Sequence, residues 1–404
     1  MRLLALLALL SWPLVSLAGG ARRPWAQAQS WAVQLQSVDL EALAQSPFDL
    51  VVIDYSSDGS AAGRYTRADI EAVQRHPAGG RRLVLAYLSV GEAESYRFYW
   101  QPGFRPGSPA WLGRENPEWP GNYLVNYWEP EWRSLLEKYL DQIVEAGFDG
   151  VYLDRVDAYQ SFEVLRPTAR DDMVELVRHL AARARQGAGG ADFGIFPQNG
   201  AELLGNPWYL KTITGCGHEE TYFGYGGDDR PSPADWTAQV EACMDLVKAS
   251  GGRVLSLDYT NEPEQMRQAH LRAAQKGYLE YCAPRDLDTL VVLPGIQPYT
   301  PSDASARHRP GASGHPTPAG SLRQVSWRRG ARRPPGVGLM RNRSGGFNPL
   351  HGPARHRPGE AGHPAGSLRQ VSWGWSPGCL PRAWSMRKAS DGFEGRAQNG
   401  VVES

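Results

Sequence analysis

Acidic side chains recur in this sequence directly after apolar segments that have the composition of buried strands. The polar residues that follow six of these segments are Asp54 and Tyr55, Ser89 and Glu92, Asp154 and Asp157, Gln198 and Asn199, Glu219 and Glu220, and Asp258 and Tyr259. Because the carboxyl ends of parallel strands form one rim of an α/β fold, we expect these side chains to surround one site. Two opposed carboxylates there could cleave a glycosidic bond. One would protonate the leaving oxygen while the other attacks the anomeric carbon or activates water.

Other hydrolytic chemistries find less support in the sequence. Ser89 lies in YLSVGE and not in a G-x-S-x-G elbow, so no nucleophilic serine stands out. His218 is the only histidine at a strand end, which argues against a histidine-rich metal centre. An all-oxygen Mg²⁺ or Ca²⁺ site from Asp54, Asp154 and Asp258 is the minor alternative, a metal-dependent hydrolase. The main prediction needs no metal and no cofactor.

The segment FDGVYLDRVDAY (148–159) shows the pattern most clearly. It is apolar up to Leu153 and then changes abruptly to charged residues. Gly150, Tyr152 and Asp154 share one parity, so strand alternation points all three side chains to the same face. If this face is the interior of a barrel, Asp154 emerges at its mouth.

Strand-like and helix-like segments alternate between residues 31 and 294. The predicted strands are 31–36, 49–55, 82–89, 148–154, 193–199, 212–220, 253–259 and 277–282. The clearest helix, PEWRSLLEKYLDQIVEAG, has apolar residues at helical spacing, Pro130 at its start and Gly147 just beyond its end. This rhythm predicts an α/β fold, a (β/α)8 TIM barrel over residues 31–294. A doubly wound open sheet is the alternative, but no glycine-rich phosphate loop follows the first strand.

A ninth strand-like piece, NYLVNYW (122–128), lies within a long loop over roughly residues 90–130. This loop is rich in Trp, Pro and Tyr. Long loops on a rigid scaffold often carry function, so we interpret it as a functional insertion after the third strand.

Several motifs occur in one order along residues 31–290: VVIDY, YLSVGEAESYRFYW (87–100), NYW-P-W, GFDGVYLDRVDAY and GYLEY. In these motifs the chain resembles the secreted barrels of glycoside hydrolase family 114, the endo-α-1,4-polygalactosaminidase group. The resemblance implies a retaining α-glycosidase with an Asp at the end of the fourth strand and a Glu at the end of the sixth. Carried onto this chain, these are Asp154 and either Glu219 or Glu220. The pattern E-[DE]-x-aromatic-aromatic favours Glu219 as acid/base, with Asp154 as nucleophile.

Further rim residues are candidates for contact with a sugar substrate. They are Asp54, Tyr55, Tyr87, Ser89, Glu92, Tyr96, Arg97, Tyr99, Tyr152, Asn199, Asp258 and Tyr259. An acidic cleft would attract a cationic sugar such as galactosamine. The sequence therefore predicts a hydrolase whose partner is an α-linked, amino-sugar-containing polysaccharide. A barrel that binds polysaccharide without cleaving it is the alternative from another class.

The formal net charge is zero, but it is distributed unevenly. From residue 301 onward roughly 16 basic residues face 5 acidic ones, so the remainder is mildly acidic, which argues against a nucleic-acid partner. The basic Pro/Gly/Arg-rich segment 297–404 contains a direct repeat (306–327 and 354–373) and is predicted to be disordered. A flexible appendage or a gene-end artefact is favoured for it over an anion-binding tail.

The N-terminal residues 1–18 read as a signal peptide that ends at Ala18, because Arg2 precedes a short apolar run. This run is too short to span a bilayer comfortably, so we predict a secreted protein, extracellular or periplasmic, without a stable membrane anchor. The cysteines are Cys216, Cys243, Cys282 and Cys379. Their spacing fits no zinc or redox motif, and it leaves open one disulfide within the body. No pattern in the sequence indicates an oligomeric state.

Overall fold

The computed structural model of the chain describes residues 23–187 and 189–292. The predicted signal peptide (1–18) and the predicted tail (297–404) with its repeat lie outside these residues. The strands are β1 Trp31–Gln34, β2 Leu50–Ile53, β3 Leu83–Ser89, β4 Glu92–Glu94, β5 Leu112–Glu115, β6 Asn122–Val125, β7 Gly150–Asp154, β8 Gly194–Pro197, β9 Gly215–Glu219, β10 Arg253–Tyr259 and β11 Leu279–Ala283. The helices are α1 Arg23–Gln27, α2 Leu40–Gln45, α3 Arg67–Gln74, α4 Pro130–Ala146, α5 Ala169–Gln186, α6 Pro207–Thr212, α7 Ala234–Ala249 and α8 Pro263–Lys276, with 3₁₀ helices at Val156–Ser161 and Ala201–Gly205.

The eight predicted barrel strands are all present and all parallel. β1, β2, β3, β7 and β8 form one sheet in that order, and β9, β10 and β11 form a second. At one seam the Asn199 amide donates to the Gly217 carbonyl at 2.9 Å. At the other seam the Trp31 indole donates to the Leu279 carbonyl at 2.9 Å. The sheets therefore close into the predicted barrel, and the doubly wound alternative is wrong.

The barrel strands are apolar because both of their faces are covered. Every residue of β2 (LVVI) and of β3 (LVLAYLS) is buried. Side chains of one parity fill the barrel interior, and those of the other parity lie under the surrounding helices. Alternating polarity is therefore absent from these strands, and their near-continuous apolar runs follow from the architecture.

Helix α4 confirms the helix that the sequence predicts most clearly. Pro130 occupies its first turn, where the missing N–H of proline costs no hydrogen bond. Gly147 ends it in a left-handed conformation with φ of 90°, which glycine adopts without a clash from a Cβ atom. Its buried residues are Trp132, Leu136, Tyr139, Leu140, Ile143 and Ala146. This apolar stripe packs α4 on the barrel directly before β7.

The predicted insertion after the third barrel strand forms a small antiparallel sheet in the order β4-β6-β5. The predicted strand 122–128 is present, although shorter, as β6. The Trp132 indole of α4 donates to the Val90 carbonyl at 2.9 Å, and the Trp111 ring of the insertion lies 4.9 Å from the Trp132 ring. These contacts fix the insertion on the barrel, so residues carried by it have defined positions.

The amino-terminal end of the barrel contains the fully buried guanidinium of Arg82. Arg82 donates to the carbonyls of Phe48 at 2.7 Å, Ser46 at 2.6 Å and Val73 at 2.5 Å. Ser46 and Val73 lie at the C-terminal ends of α2 and α3, where the helix dipole leaves partial negative charge. Arg82 therefore ties two helices to the start of β3.

Cys216 and Cys282 are free and buried, so these two cysteines do not form the disulfide that the sequence left open. Within the described part of the chain, no helix has both the length and the apolar character needed to cross a membrane.

Candidate active site

A cavity of about 590 Å³ lies at the carboxyl ends of the barrel strands, where TIM-barrel chemistry is found. Most of the predicted site residues line it: Asp54, Tyr87, Glu92, Tyr96, Arg97, Tyr152, Asp154, Asn199, Glu219 and Tyr259. The common site expected from the strand ends is therefore present. Tyr55, Ser89, Tyr99, Glu220 and Asp258 do not line it.

Asp154, the last residue of β7, has both carboxylate oxygens held by donors. The Tyr87 hydroxyl of the adjacent strand donates to Oδ2 at 2.7 Å, and the Arg155 backbone amide donates to Oδ1 at 2.7 Å. Burial and the nearby negative charge of Glu219 raise the pKa of the Asp154 carboxyl to about 7, against the attraction of Arg155 and the Tyr87 hydrogen bond. Asp154 can therefore change its protonation state near neutral pH.

Glu219, the last residue of β9, is held in the same way. The Asn199 side-chain amide donates to Oε2 at 2.8 Å, and the Tyr259 hydroxyl donates to Oε1. The Glu219 backbone amide in turn donates to the Asn199 side-chain oxygen at 3.1 Å, so Asn199 is fixed against the strand. The second carboxylate of the cavity is thus preorganised from β8 and β10.

Tyr152 lies in the cavity wall between the two carboxylates. Burial, Glu219 and Asp154, in that order, raise the pKa of its hydroxyl well above the ordinary value. A Cβ atom on Gly217 would lie 1.9 Å from the Tyr152 hydroxyl oxygen, so only glycine leaves room for this ring. Tyr152 Oη and Arg97 Nη2 are buried donors without a hydrogen-bond partner among the described residues. Both side chains form part of the cavity wall, and these two donor atoms are buried within it.

Non-glycine residues with left-handed backbone follow three neighbouring barrel strands. Arg155 after β7 has φ of 60°, Asn199 after β8 has φ of 61°, and Glu220 after β9 has φ of 57°. Residues other than glycine rarely adopt this conformation, and it concentrates at functional sites. At Arg155 it turns the backbone amide onto the carboxylate of the preceding residue, Asp154.

Two arginines bind three further carboxylates of the cavity. Arg97 is buried and donates to Glu94 at 2.6 Å and to Asp54 at 2.7 Å. Arg155 forms an ion pair with Glu92 at 3.1 Å. Burial raises the pKa of the Asp54 carboxyl, although Arg97 opposes this shift. These charges are therefore largely engaged with each other in the wall of the cavity.

The sequence model of Glycoside-hydrolase family GH114 matches residues 16–297. The chain belongs to this family. An uncharacterised protein of Deinococcus radiodurans is 42% identical over 268 residues, which cover 65% of this chain and 83% of that protein. An uncharacterised protein of Methanocaldococcus jannaschii is 37% identical over 278 residues, which cover 64% and 77%. The glycoside hydrolase domain of PelA from Pseudomonas aeruginosa has a TM-score of 0.50 at 21% identity, covering 66% of this chain and 98% of that chain, so its likeness concerns the fold.

The resemblance found in the sequence motifs is thus confirmed at the level of the GH114 family. Four predicted sugar-contacting residues, however, lie outside the cavity: Tyr55, Ser89, Tyr99 and Asp258. Tyr55 is buried, and its hydroxyl donates to the Gly59 carbonyl at 3.1 Å. The Ser89 hydroxyl donates to the Glu92 carbonyl at 3.0 Å. The Tyr99 hydroxyl accepts a hydrogen bond from the Glu94 backbone amide at 2.9 Å. The Tyr55, Ser89 and Tyr99 side chains stabilise the segments around the site and are not exposed to a ligand there.

Asp258 points to the opposite face of the barrel wall from its neighbours Leu257 and Tyr259, which line the cavity. It accepts hydrogen bonds from the backbone amides of Tyr222 at 2.8 Å and Phe223 at 3.0 Å. The prediction that it contacts substrate is therefore wrong. The structure also does not assemble the three-aspartate metal site that the sequence left as an alternative. Among the described residues, no group of three His, Cys, Asp or Glu side chains could hold a metal ion.

The two glutamates that the sequence left as alternatives have different surroundings. Glu219 lines the same cavity as Asp154, whereas Glu220 lies outside it and forms an ion pair with Arg285 at 2.8 Å. The left-handed backbone at Glu220 separates the directions of the two side chains. Glu219, and not Glu220, therefore lines the cavity that contains Asp154.

Several cavity residues were missed by the sequence interpretation. They include Asp58, Glu94, Trp119, Arg285 and Asp286. Arg285 and Asp286 closely follow β11, so the strand-end rule that identified the other residues could have found them. Trp119 belongs to the aromatic-rich insertion, but no local pattern distinguishes it from the other tryptophans there.

Proposed function

We propose that this GH114 member hydrolyses α-linked, amino-sugar-containing polysaccharide with an endo-α-1,4-polygalactosaminidase-like activity. The observation that carries the proposal is the convergence of Asp154 and Glu219 on one cavity, each with both carboxylate oxygens held by donors. Two oriented carboxyl groups are the minimum that glycosidic cleavage requires. Membership of a glycoside-hydrolase family supports the same reaction class.

In the first step of the proposed retaining mechanism, the two carboxyls carry one proton between them, which lies on Glu219, and ionised Asp154 attacks the anomeric carbon. The bond from this carbon to the glycosidic oxygen breaks, and protonated Glu219 gives its proton to the leaving oxygen. The two donors on Asp154 hold its carboxylate in one orientation, which reduces the entropic cost of reaching the reactive geometry. One product chain leaves, and the other stays esterified to Asp154.

In the second step, Glu219 is ionised and accepts a proton from a water molecule, whose oxygen attacks the anomeric carbon. The ester bond to Asp154 breaks, and the sugar is released with its original anomeric configuration. Proton NMR of the first-formed product would check the retained α configuration.

The charge of the cavity supports a cationic sugar. The carboxylates that line it are Asp54, Asp58, Glu92, Glu94, Asp154, Glu219 and Asp286, whereas the cations are Arg97, Arg155 and Arg285. An excess of negative charge in a concave, poorly solvated site attracts an ammonium group. We expect a glycan with free amines to bind much more tightly than its N-acetylated form, and equal binding would contradict this specificity.

The decisive experiment measures product release from a panel of polysaccharides that includes partly deacetylated galactosaminogalactan. We expect activity in wild type and a loss of about 10³-fold or more in both Asp154→Asn and Glu219→Gln. Glu220→Gln is the matched control, because it makes the same change one residue away and outside the cavity. A loss confined to Glu220→Gln would show that the assignment of the acid/base is wrong.

Two other outcomes would replace the proposal. Binding without cleavage by wild type and both variants would indicate a polysaccharide-binding barrel. Activity that disappears with chelator would indicate a metal-dependent hydrolase.

We also propose that the protein is exported, on the basis of the signal-like residues 1–18. Mass spectrometry of the mature protein should find an N-terminus directly after Ala18, and an intact Met1 on exported or cell-retained protein would contradict this. The same measurement would detect peptides from 297–404.

A further inference from the structure

Two large aromatic side chains are exposed at the mouth of the cavity. Tyr96 is 50% exposed and Trp119 is 48% exposed, and both line the cavity. Trp208 is also exposed, at 61%, but it does not line the cavity. Exposed aromatic surface gathered at the edge of a concave polar site is typical of a binding surface.

The Tyr96 ring is held rigidly although half of it is exposed. Its hydroxyl donates to Glu94 Oε1 at 2.6 Å, and the Arg97 guanidinium lies 4.8 Å from the ring centroid. A Cβ atom added to Gly59 would lie 2.5 Å from Tyr96 Cδ2, so the Gly59 backbone contacts the ring directly. A ligand that stacks on this ring would not have to immobilise it first.

Trp119 is adjacent to Tyr96 because the segments that carry them pair through the backbone. The Ser95 amide donates to the Gly121 carbonyl at 2.8 Å, and Glu94 pairs with Asn122 in the β4–β6 ladder. The Trp119 carbonyl accepts the Asn122 amide at 3.0 Å, which forms the turn before β6. The insertion therefore carries both exposed aromatic residues of the cavity on segments that pair through their backbones.

We propose that Tyr96 and Trp119 form an outer sugar subsite that stacks on a ring of the polysaccharide away from the bond being cleaved. This inference rests on the proposed function and deepens it. The C–H faces of a sugar ring pack on aromatic rings, and an ammonium group is attracted to their π faces. The subsite belongs to the insertion, whereas Asp154 and Glu219 end β7 and β9 deeper in the cavity.

An outer subsite has a specific kinetic consequence. A chain long enough to occupy both the catalytic centre and the Tyr96–Trp119 subsite gains binding energy, whereas a short oligosaccharide does not. The dependence of kcat/KM on chain length therefore reports on these two residues separately from the chemistry at Asp154 and Glu219.

The experiment compares cleavage of α-1,4-linked galactosamine oligosaccharides of increasing length by wild type, Tyr96→Ala, Trp119→Ala and Trp208→Ala. For Tyr96→Ala and Trp119→Ala we expect the loss of kcat/KM to be about tenfold larger on the longest substrates than on the shortest cleaved one. Trp208→Ala should behave as wild type, because it removes an exposed tryptophan outside the cavity. An equal loss at all lengths, or no loss at any length, would overturn the subsite.

Binding of the same oligosaccharides to the Asp154→Asn protein, measured by calorimetry, separates the subsite from the catalytic proposal. Affinity that grows with length and falls about tenfold on adding Trp119→Ala supports the subsite even if wild type cleaves nothing. Cleavage by wild type without any effect of Tyr96→Ala or Trp119→Ala would overturn the subsite and leave the proposed function intact. Absence of binding at every length would overturn both.

Discussion

At the scale of single residues, the ionisation of Asp154 connects the structure to catalysis. Burial and Glu219 act to keep a proton on this carboxyl, while Arg155 and the Tyr87 hydroxyl act to remove it. The balance leaves a pKa of about 7, so the ionised form that the proposed nucleophilic attack requires is the major form only above about pH 7. Burial, Glu219, Arg155 and Tyr87 together therefore determine the pH range over which Asp154 ionises.

We expect kcat/KM to fall as pH is lowered through about 7, because protonated Asp154 cannot attack the anomeric carbon. The measurement is a pH–rate profile from about pH 5 to about pH 9 on a single glycan. Activity that increases on acidification through this range would instead make Asp154 the proton donor of the pair.

Tyr87→Phe should shift that acidic limb to higher pH. The Tyr87 hydroxyl lowers the pKa of Asp154 by donating to its carboxylate, so its removal favours the protonated form. We expect a loss of kcat of about 10- to 100-fold at neutral pH. Tyr55→Phe is the matched control, since its hydroxyl bonds the Gly59 carbonyl outside the cavity. Identical pH profiles for wild type and Tyr87→Phe would exclude this role.

At the scale of elements, β10 and β11 carry a second pair of carboxyls on the outer face of the barrel wall, Asp258 and Glu280. These two groups interact with each other, and Asp258 Oδ2 and Glu280 Oε2 have no donor among the described residues. Arg272 of α8 attracts Asp258 without pairing with it. Burial raises the pKa of both carboxyls above their ordinary values of 3.8 and 4.5, and repulsion by Asp258 raises that of Glu280 further. The folded state is therefore favoured when the two carboxyls share one proton.

This pair should make the folded protein less stable as pH rises. The folded state binds the shared proton more tightly than the unfolded state, so the stabilisation is complete below about pH 4 and is lost as pH rises through the raised pKa values. Asp258→Asn removes this proton. The asparagine side chain can still accept a hydrogen bond from the Tyr222 backbone amide and donate one to Glu280. Above pH 5, the free energy of unfolding of the variant should therefore increase relative to that of wild type by up to about 1.4 kcal/mol per pH unit.

Urea unfolding of wild type and Asp258→Asn between about pH 5 and about pH 8 measures this difference. Asp141→Asn on α4 is the control, because it makes the same substitution at a side chain that is 53% exposed. A constant difference between wild type and Asp258→Asn over this range would show that the pair does not hold a proton in the folded state.

At the scale of the whole molecule, the two ends of the barrel have separate tasks. The carboxyl end carries the cavity with its left-handed residues and unpaired donors, which are features that cost stability. The amino end contains Arg82, whose guanidinium satisfies carbonyls of α2 and α3. Changes at the amino end should therefore alter stability without altering the chemistry.

Arg82→Met should lower the free energy of unfolding by about 3 kcal/mol, since it leaves several buried carbonyls without a donor. The kcat of the folded protein should not change. Arg267→Met is the matched control: its side chain is 42% exposed, and its ion pair with Glu264, which is 69% exposed, should contribute about 1 kcal/mol or less. Equal losses of stability in the two variants would contradict the role assigned to Arg82.

The sequence by itself determined the barrel strands, their order and the rim of polar residues. Apolar runs that end in charge, such as GVYLD, identify a parallel strand and its carboxyl end locally, and barrel closure brings such ends together whatever the side chains are. Asp154 could be identified for this reason.

Only the tertiary structure decided which rim residues face the cavity. Asp258 and Tyr259 are neighbours in sequence, as are Glu219 and Glu220, but in each pair only one member lines the cavity. Strand alternation makes neighbouring side chains point to opposite faces. Which of the two points inward depends on the rotation of the strand in the barrel and on the backbone turn that follows the strand. Those quantities depend on packing between segments far apart in the chain, such as Arg285 against Glu220, and a local pattern does not contain them.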